Sequence, residues 1–211
     1  KEIIFFIDIS DLYDDNVSYK LNEDLTISEL DLKGKGLKRR KFLRNNFPLT
    51  NYYMYVLKKS RQIKNKSLEK PKDNKFPVFN KKAIIKAEWT YYNQKSHPEY
   101  IGTIEEDQKN LINIMNKIYL MLKKENIEMS IAIYPWPQQL KNDNVNSMHV
   151  SMWKEFCKLK CKRFINYFDF FFEEKNKNSF LEVYKKYYFW NDVHFNTNGN
   201  KVIADRLIEE F

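Results

Sequence analysis

Three short apolar runs stand out from an otherwise polar chain. Residues 2–9 read Glu-Ile-Ile-Phe-Phe-Ile-Asp-Ile, residues 128–134 contain Met129-Ser130-Ile131-Ala132-Ile133-Tyr134, and residues 164–168 read Phe-Ile-Asn-Tyr-Phe. Each has strand length and is apolar at successive positions, as in strands covered on both faces. Between them the pattern changes to the helical period. Thr103 to Asn126 is the clearest case. Thr103-Ile104-Glu105-Glu106 fits a capping box, and Leu111, Ile114, Met115, Ile118 and Leu122 make one apolar stripe. Further helices are predicted over 48–63, capped by Thr50 or Asn51, and over 147–162, 178–188 and 199–211. Residues 12–32 and 64–82 are polar and read as loops. Strands separated by helices predict an α/β fold with a parallel sheet. In such sheets sites gather at the carboxyl ends of the strands. Asp11, Pro135-Trp136-Pro137 and Asp192-Val193-His194 all fall at such ends or on nearby loops.

Length and composition narrow the picture. A chain of 211 residues that is 43% hydrophobic fits one domain with a real core. It has no run of 18 apolar residues, and no Gly-rich nucleotide loop or internal repeat. It opens on a buried strand without a methionine, so the expectation is the latter part of a longer polypeptide, with any targeting segment ahead of it. Cys157 and Cys161 lie four apart on the helix predicted over 147–162, where two unpaired thiols on a helix face are expected.

The net charge of +9 is concentrated. Residues 33–86 hold 18 Lys or Arg against Glu69 and Asp73 alone. An anionic partner suits this basic insertion: an acidic polymer, a phospholipid surface or nucleic acid. Residues 58–75 interleave few aromatics with their cations, which leaves no stacking platform and ranks nucleic acid last. A Lys- and Asn-rich coding bias would produce the same charge without a function.

The chemistry lies near the C-terminus, in Trp190-Asn191-Asp192-Val193-His194-Phe195-Asn196-Thr197-Asn198-Gly199. An acid two residues before a histidine can hold the imidazole in one tautomer, which is the base half of a serine relay. No nucleophile half is obvious. Ser10 follows a strand, but Asp8, Ile9 and Asp11 are bulky neighbours for a nucleophile elbow. His97 and His149 lack an acid at relay spacing and read as surface histidines, and no histidine pair has metal-ligand spacing. Trp89, Tyr91, Tyr92 and Trp136 suit either sugar stacking or the core.

Taken in order, these segments resemble the SGNH/GDSL hydrolase superfamily. Ile3 to Asp11 is similar to its third conserved block, residues 129–137 to its fourth strand, and Asp192-Val193-His194-Phe195-Asn196 with Gly199 to the block that carries the catalytic Asp and His. One residue between Asp192 and His194, where the family usually has two, resembles the alginate-type O-acetyltransferases. Ser10 stands where the third block usually places an oxyanion-hole Asn.

The resemblance implies a flavodoxin-like three-layer fold and a single domain over 1–211 that lacks its N-terminal strands, with residues 33–86 inserted after the first visible strand. It places the nucleophilic serine in a block ahead of Lys1. It implies an extracytoplasmic esterase or O-acyltransferase for a carbohydrate polymer or cell-surface glycan, with an acyl-ester substrate and a membrane-embedded acyl donor as a further partner. His194 would be the base and Asp192 its orienting acid. Asp11, Trp136 and Asn196 are candidates for substrate contact, and no metal or organic cofactor is implied. The rival readings are a non-catalytic SGNH-like domain that binds glycan or a membrane partner, and a nucleic-acid-binding protein using residues 33–86.

The charge asymmetry yields a test. Binding of the protein to an acidic polysaccharide or to anionic vesicles is expected to weaken steeply as salt rises. Salt-independent binding, or none at low salt, would show the cations of 33–86 to be coding bias.

Overall fold

The computed structural model describes residues 1–12, 19–22, 26–29, 76–92 and 103–211. By compactness the chain divides into Lys1–Ser28 with Pro77–Phe211, and Glu29–Phe76. The helix expected over 48–63, His97 and the basic residues 33–75 lie outside the described residues.

Three strands form one parallel sheet: β1 (Glu2–Ile7), β4 (Glu128–Ile133) and β5 (Cys161–Asn166), in the order β1-β4-β5. Two short strands, β2 (Tyr19–Leu21) and β3 (Ile27–Glu29), pair separately within the stretch read as loop. The central strand is the driest. From Met129 to Ile133 no residue is more than 1% exposed. Its one polar member, Ser130, is fully satisfied: its hydroxyl donates to Glu2 Oε1 (2.5 Å) and accepts the Arg163 N–H (3.1 Å). Arg163 also pairs with Glu2 through its guanidinium, and Lys162 pairs with Glu128. Charged groups from all three strands thus tie the amino edge together. Hydrogen bonds from Arg163 and Ser130 outweigh partial desolvation and hold the Glu2 carboxyl below its usual range.

Around this sheet lie seven helices among the described residues: α1 (Lys81–Glu88), α2 (Ile104–Lys124), α3 (Pro137–Asn142), α4 (Met148–Cys157), α5 (Phe168–Lys177), α6 (Phe180–Tyr187) and α7 (Thr197–Glu209). The Thr103 capping box is present: Thr103 Oγ accepts the Glu106 N–H (3.1 Å), and the Glu106 carboxylate accepts the Thr103 N–H (3.1 Å). Asn80, Ser147, Ser179 and Asn196 cap α1, α4, α6 and α7 in the same chemical way. The mixed α/β class with a parallel sheet is therefore observed, with β5 beginning earlier than the expected 164.

Four differences from the sequence reading have physical causes. The helix expected over 147–162 stops at Cys157, because the chain turns through 158–160 and Cys161 opens β5. Leu159 at that turn is 90% exposed. The cysteines accordingly face each other as a disulfide, with their Cα atoms 4.6 Å apart, and are not free thiols on one helix. Residues 81–86, counted with the basic insertion, belong to α1, whose Ala83, Ile85 and Ala87 are core. His149 is no surface histidine: it is buried between Trp89 and Phe168.

Among the described residues β1 pairs only with β4, and Ile3 and Phe6 are 38% and 43% exposed. An apolar strand edge of this kind is a surface on which a further strand can add. The disulfide closes a loop so short that chain entropy limits its worth. Replacing both cysteines by serine is expected to lower unfolding free energy by about 2 kcal/mol, as read from urea unfolding curves. No loss would mean that α4 and β5 hold this turn unaided.

Candidate active site

The Asp192–His194 loop is a compact knot of hydrogen bonds between α6 and α7. One carboxylate oxygen, Asp192 Oδ1, accepts the Val193 N–H (2.6 Å) and the His194 N–H (3.2 Å), and meets His194 Nδ1 at 2.6 Å. An ionised carboxylate only accepts, so Nδ1 carries a proton, and in the neutral ring Nε2 keeps its lone pair. Partial burial opposes the charge on Asp192. The bonds from the His194 ring and from the two amides outweigh it and hold the carboxyl below its usual range. The side chains are 78% exposed at His194 and 50% at Asp192, so the free nitrogen is open to an incoming molecule.

The loop is held from below. The Tyr184 hydroxyl of α6 accepts the Asp192 N–H (3.0 Å) and donates to the Phe189 carbonyl (2.6 Å). The His194 carbonyl accepts the Phe189 N–H (3.0 Å), and Asn191 turns the chain with φ of 61°. Phe195, next to His194, stacks on Phe171 (5.2 Å between ring centroids) and packs on Tyr188 (4.7 Å) and Tyr134 (5.3 Å). Where α7 starts, Gly199 passes so close that an added Cβ would lie 2.3 Å from the Tyr187 carbonyl oxygen and 2.7 Å from the Phe195 ring. Only glycine fits. Helix start, aromatic anchor and catalytic-type pair are thereby fixed relative to one another.

The site sits at the carboxyl edge of the sheet. Tyr134 follows β4, packs on Phe195, and its hydroxyl reaches Asp8 Oδ2 after β1 (3.4 Å). Burial first, then the nearby Asp8 and Asp11 carboxylates, push the Tyr134 phenol well above its usual value. The Tyr188 hydroxyl donates to the Pro135 carbonyl (2.8 Å). The segment after β4 therefore meets the flanks of the Asp192–His194 loop at Phe195 and Tyr188, and the turn after β1 reaches that segment at Tyr134.

The other candidates fare differently. The turn after β1 is self-bonded: Asp8 Oδ1 accepts the Ser10 N–H (2.6 Å), and Asp11 Oδ2 accepts the Asp8 N–H (3.0 Å). The Ser10 N–H is thus committed within its own turn, and Ser10 makes no hydrogen bond to His194. Trp136 is 7% exposed and belongs to the core, which removes it as a stacking surface. Asn196 spends its side chain on the chain itself. Its Oδ1 caps α7 by accepting from Asn198 and Gly199, and its Nδ2 donates to the Lys186 and Tyr188 carbonyls. It positions the loop and offers nothing to a ligand. Trp89 is core as well, while Tyr92 is exposed.

Residues that sequence reasoning passed over include Tyr184, whose hydroxyl anchors the loop, and Phe189 and Trp190, 55% and 41% exposed beside it. Val78 joins them through its N–H, which donates to Asn191 Oδ1 (2.7 Å). A tyrosine one helix ahead of a polar loop carries no spacing signal, so only the fold reveals it. Among the described residues no group of three or more His, Cys, Asp or Glu side chains is arranged to hold a metal ion, and no helix is long and apolar enough to cross a membrane.

Comparison of the chain with protein-family models, with curated proteins and with solved structures gave no match.

Tyr184→Phe keeps the ring and removes the anchor. It removes the hydroxyl's bonds to the Phe189 and Asp192 carbonyls and leaves the Asp192 N–H only its 3.1 Å bond to the Phe189 carbonyl, so a loss of about 1 kcal/mol in unfolding free energy is expected. Wild-type stability in urea would mean that water replaces the hydroxyl and that the loop is held by Phe195 and Gly199 alone.

Proposed function

We propose that this chain carries the base half of an SGNH-type serine esterase or O-acyltransferase that acts on a carbohydrate polymer or cell-surface glycan. The observation that carries the reading is the 2.6 Å contact between Asp192 and His194 Nδ1, with Nε2 open to solvent, at the carboxyl edge of a parallel sheet. Asp192 fixes the tautomer and stabilises the imidazolium that forms when Nε2 takes a proton.

In the proposed reaction a serine Oγ attacks the carbonyl carbon of an acyl ester while Nε2 removes the hydroxyl proton. The tetrahedral intermediate collapses, and His194 returns that proton to the departing alcohol oxygen. Water or a sugar hydroxyl then attacks the acyl carbonyl and gives its proton to Nε2, the bond to the serine Oγ breaks, and His194 returns the proton to that oxygen. By resemblance the serine belongs to a block that precedes β1. Ser10 is the in-chain rival, and its turn has no bond to the imidazole. The Cys157–Cys161 disulfide favours an oxidising compartment and so supports an extracytoplasmic location.

The alternative is a non-catalytic SGNH-like domain that binds glycan or a membrane partner. It is favoured by one observation: among the described residues no serine hydroxyl bonds to His194. The two readings part on a single experiment. In the full-length protein, His194→Ala is expected to abolish hydrolysis of an acetyl ester, a loss of several powers of ten. Its melting temperature should stay nearly unchanged, since an exposed side chain contributes little packing. Activity above about a tenth of wild type would dismiss the relay. Wild-type protein inert to esters but able to bind glycan would establish the alternative.

A further inference from the structure

His149 is an imidazole in an apolar setting. It is 1% exposed and lies in the first turn of α4. Its ring meets Trp89, just past α1, and Phe168, which opens α5, edge-on in each case at 6.0 Å between centroids. Neither Nδ1 nor Nε2 has a hydrogen-bond partner. The titratable groups next in sequence to the ring and its two aromatic neighbours are Glu88 and Tyr91 around Trp89, Asp169 beside Phe168, and Asp143 ahead of α4. None of them bonds the ring. Burial displaces its equilibrium, from 6.5 down to about 3.

Charging this ring is opposed twice. A cation there would lose its hydration with no anion in exchange. It would also sit at the positive end of α4. The consequence reaches the sheet's carboxyl edge, because Trp89 Nε1 approaches the Ile9 carbonyl (3.5 Å) in the turn after β1. The imidazole backs the indole that covers this turn.

We propose that His149 is an acid-sensitive latch: uncharged, it fills the space between Trp89 and Phe168, and protonated, it leaves for water and withdraws support from Trp89 over the Ile9 turn. The unfolded chain takes up the proton near pH 6.5, whereas the folded chain does so only near 3. Between those values the unfolded state binds more protons, so stability falls as pH drops through the window.

The test compares urea unfolding of the intact protein with that of His149→Phe at pH 7 and pH 5. On acidification the unfolding constant of the wild type should rise by about 25-fold more than that of the variant. Other titrating groups are common to both proteins and cancel. Equal pH dependence would overturn the latch. Should the variant fail to fold, the imidazole resonances of the wild type decide the matter. A His149 ring that shows no titration above pH 4 upholds the proposal, and a midpoint near 6.5 overturns it.

Discussion

The burial of β4 between two parallel neighbours is the constraint on which the other features rest. Met129, Ile131, Ala132 and Ile133 are out of water, and each large side chain contributes about 1.5–3 kcal/mol by burial. A slip of one residue would exchange the two faces of the strand and bring Ser130 away from Glu2 and Arg163. Register is therefore held by packing along the strand and by charge at its amino end. Once it is set, β1 and β4 finish side by side, and Asp8 and Tyr134 come within reach of each other.

The loop of Asp192 and His194 depends on that edge but is not part of the sheet. Its own atoms supply most of its order. One carboxylate oxygen gathers two amides and a ring nitrogen, and one phenol below it gathers the ends of the turn. Phe195 and Gly199 then fasten it to the aromatic layer formed by Phe171, Tyr187 and Tyr188. Rigid support beneath an exposed pair is what a group that must meet a substrate requires.

Much of this was legible in the residues. The three apolar runs named the three strands of the sheet, and the Thr103 box and the Asp192-Val193-His194 spacing each predicted a bond that is present. What escaped was decided by distant contacts. Short helices such as α1 and α3 are too brief for a periodic signal, and Pro137 reads equally as a strand stop or a helix start. His149 reads as a surface histidine because it lacks an acid at relay spacing, whereas Trp89, some 60 positions away, covers it. The cysteine pairing has no sign in a sequence that can continue as helix through Leu159, and only the turn there brings Cys161 back to Cys157. Trp136 and Asn196 carry the right chemistry for ligand contact, but packing claims the first and a helix cap claims the second.

The openness of His194 carries a chemical consequence of its own. An imidazole exposed over 78% of its side chain is wet, and it presents the same nitrogen to water as to any alcohol. Nothing in the Asp192 bond favours one over the other. If an acyl group is to pass to a sugar and not to solvent, the discrimination has to come from what lies over the ring: the acceptor itself, seated closely enough to keep water out while the bond is made. The choice between transfer and hydrolysis would then belong to the bound acceptor rather than to the base.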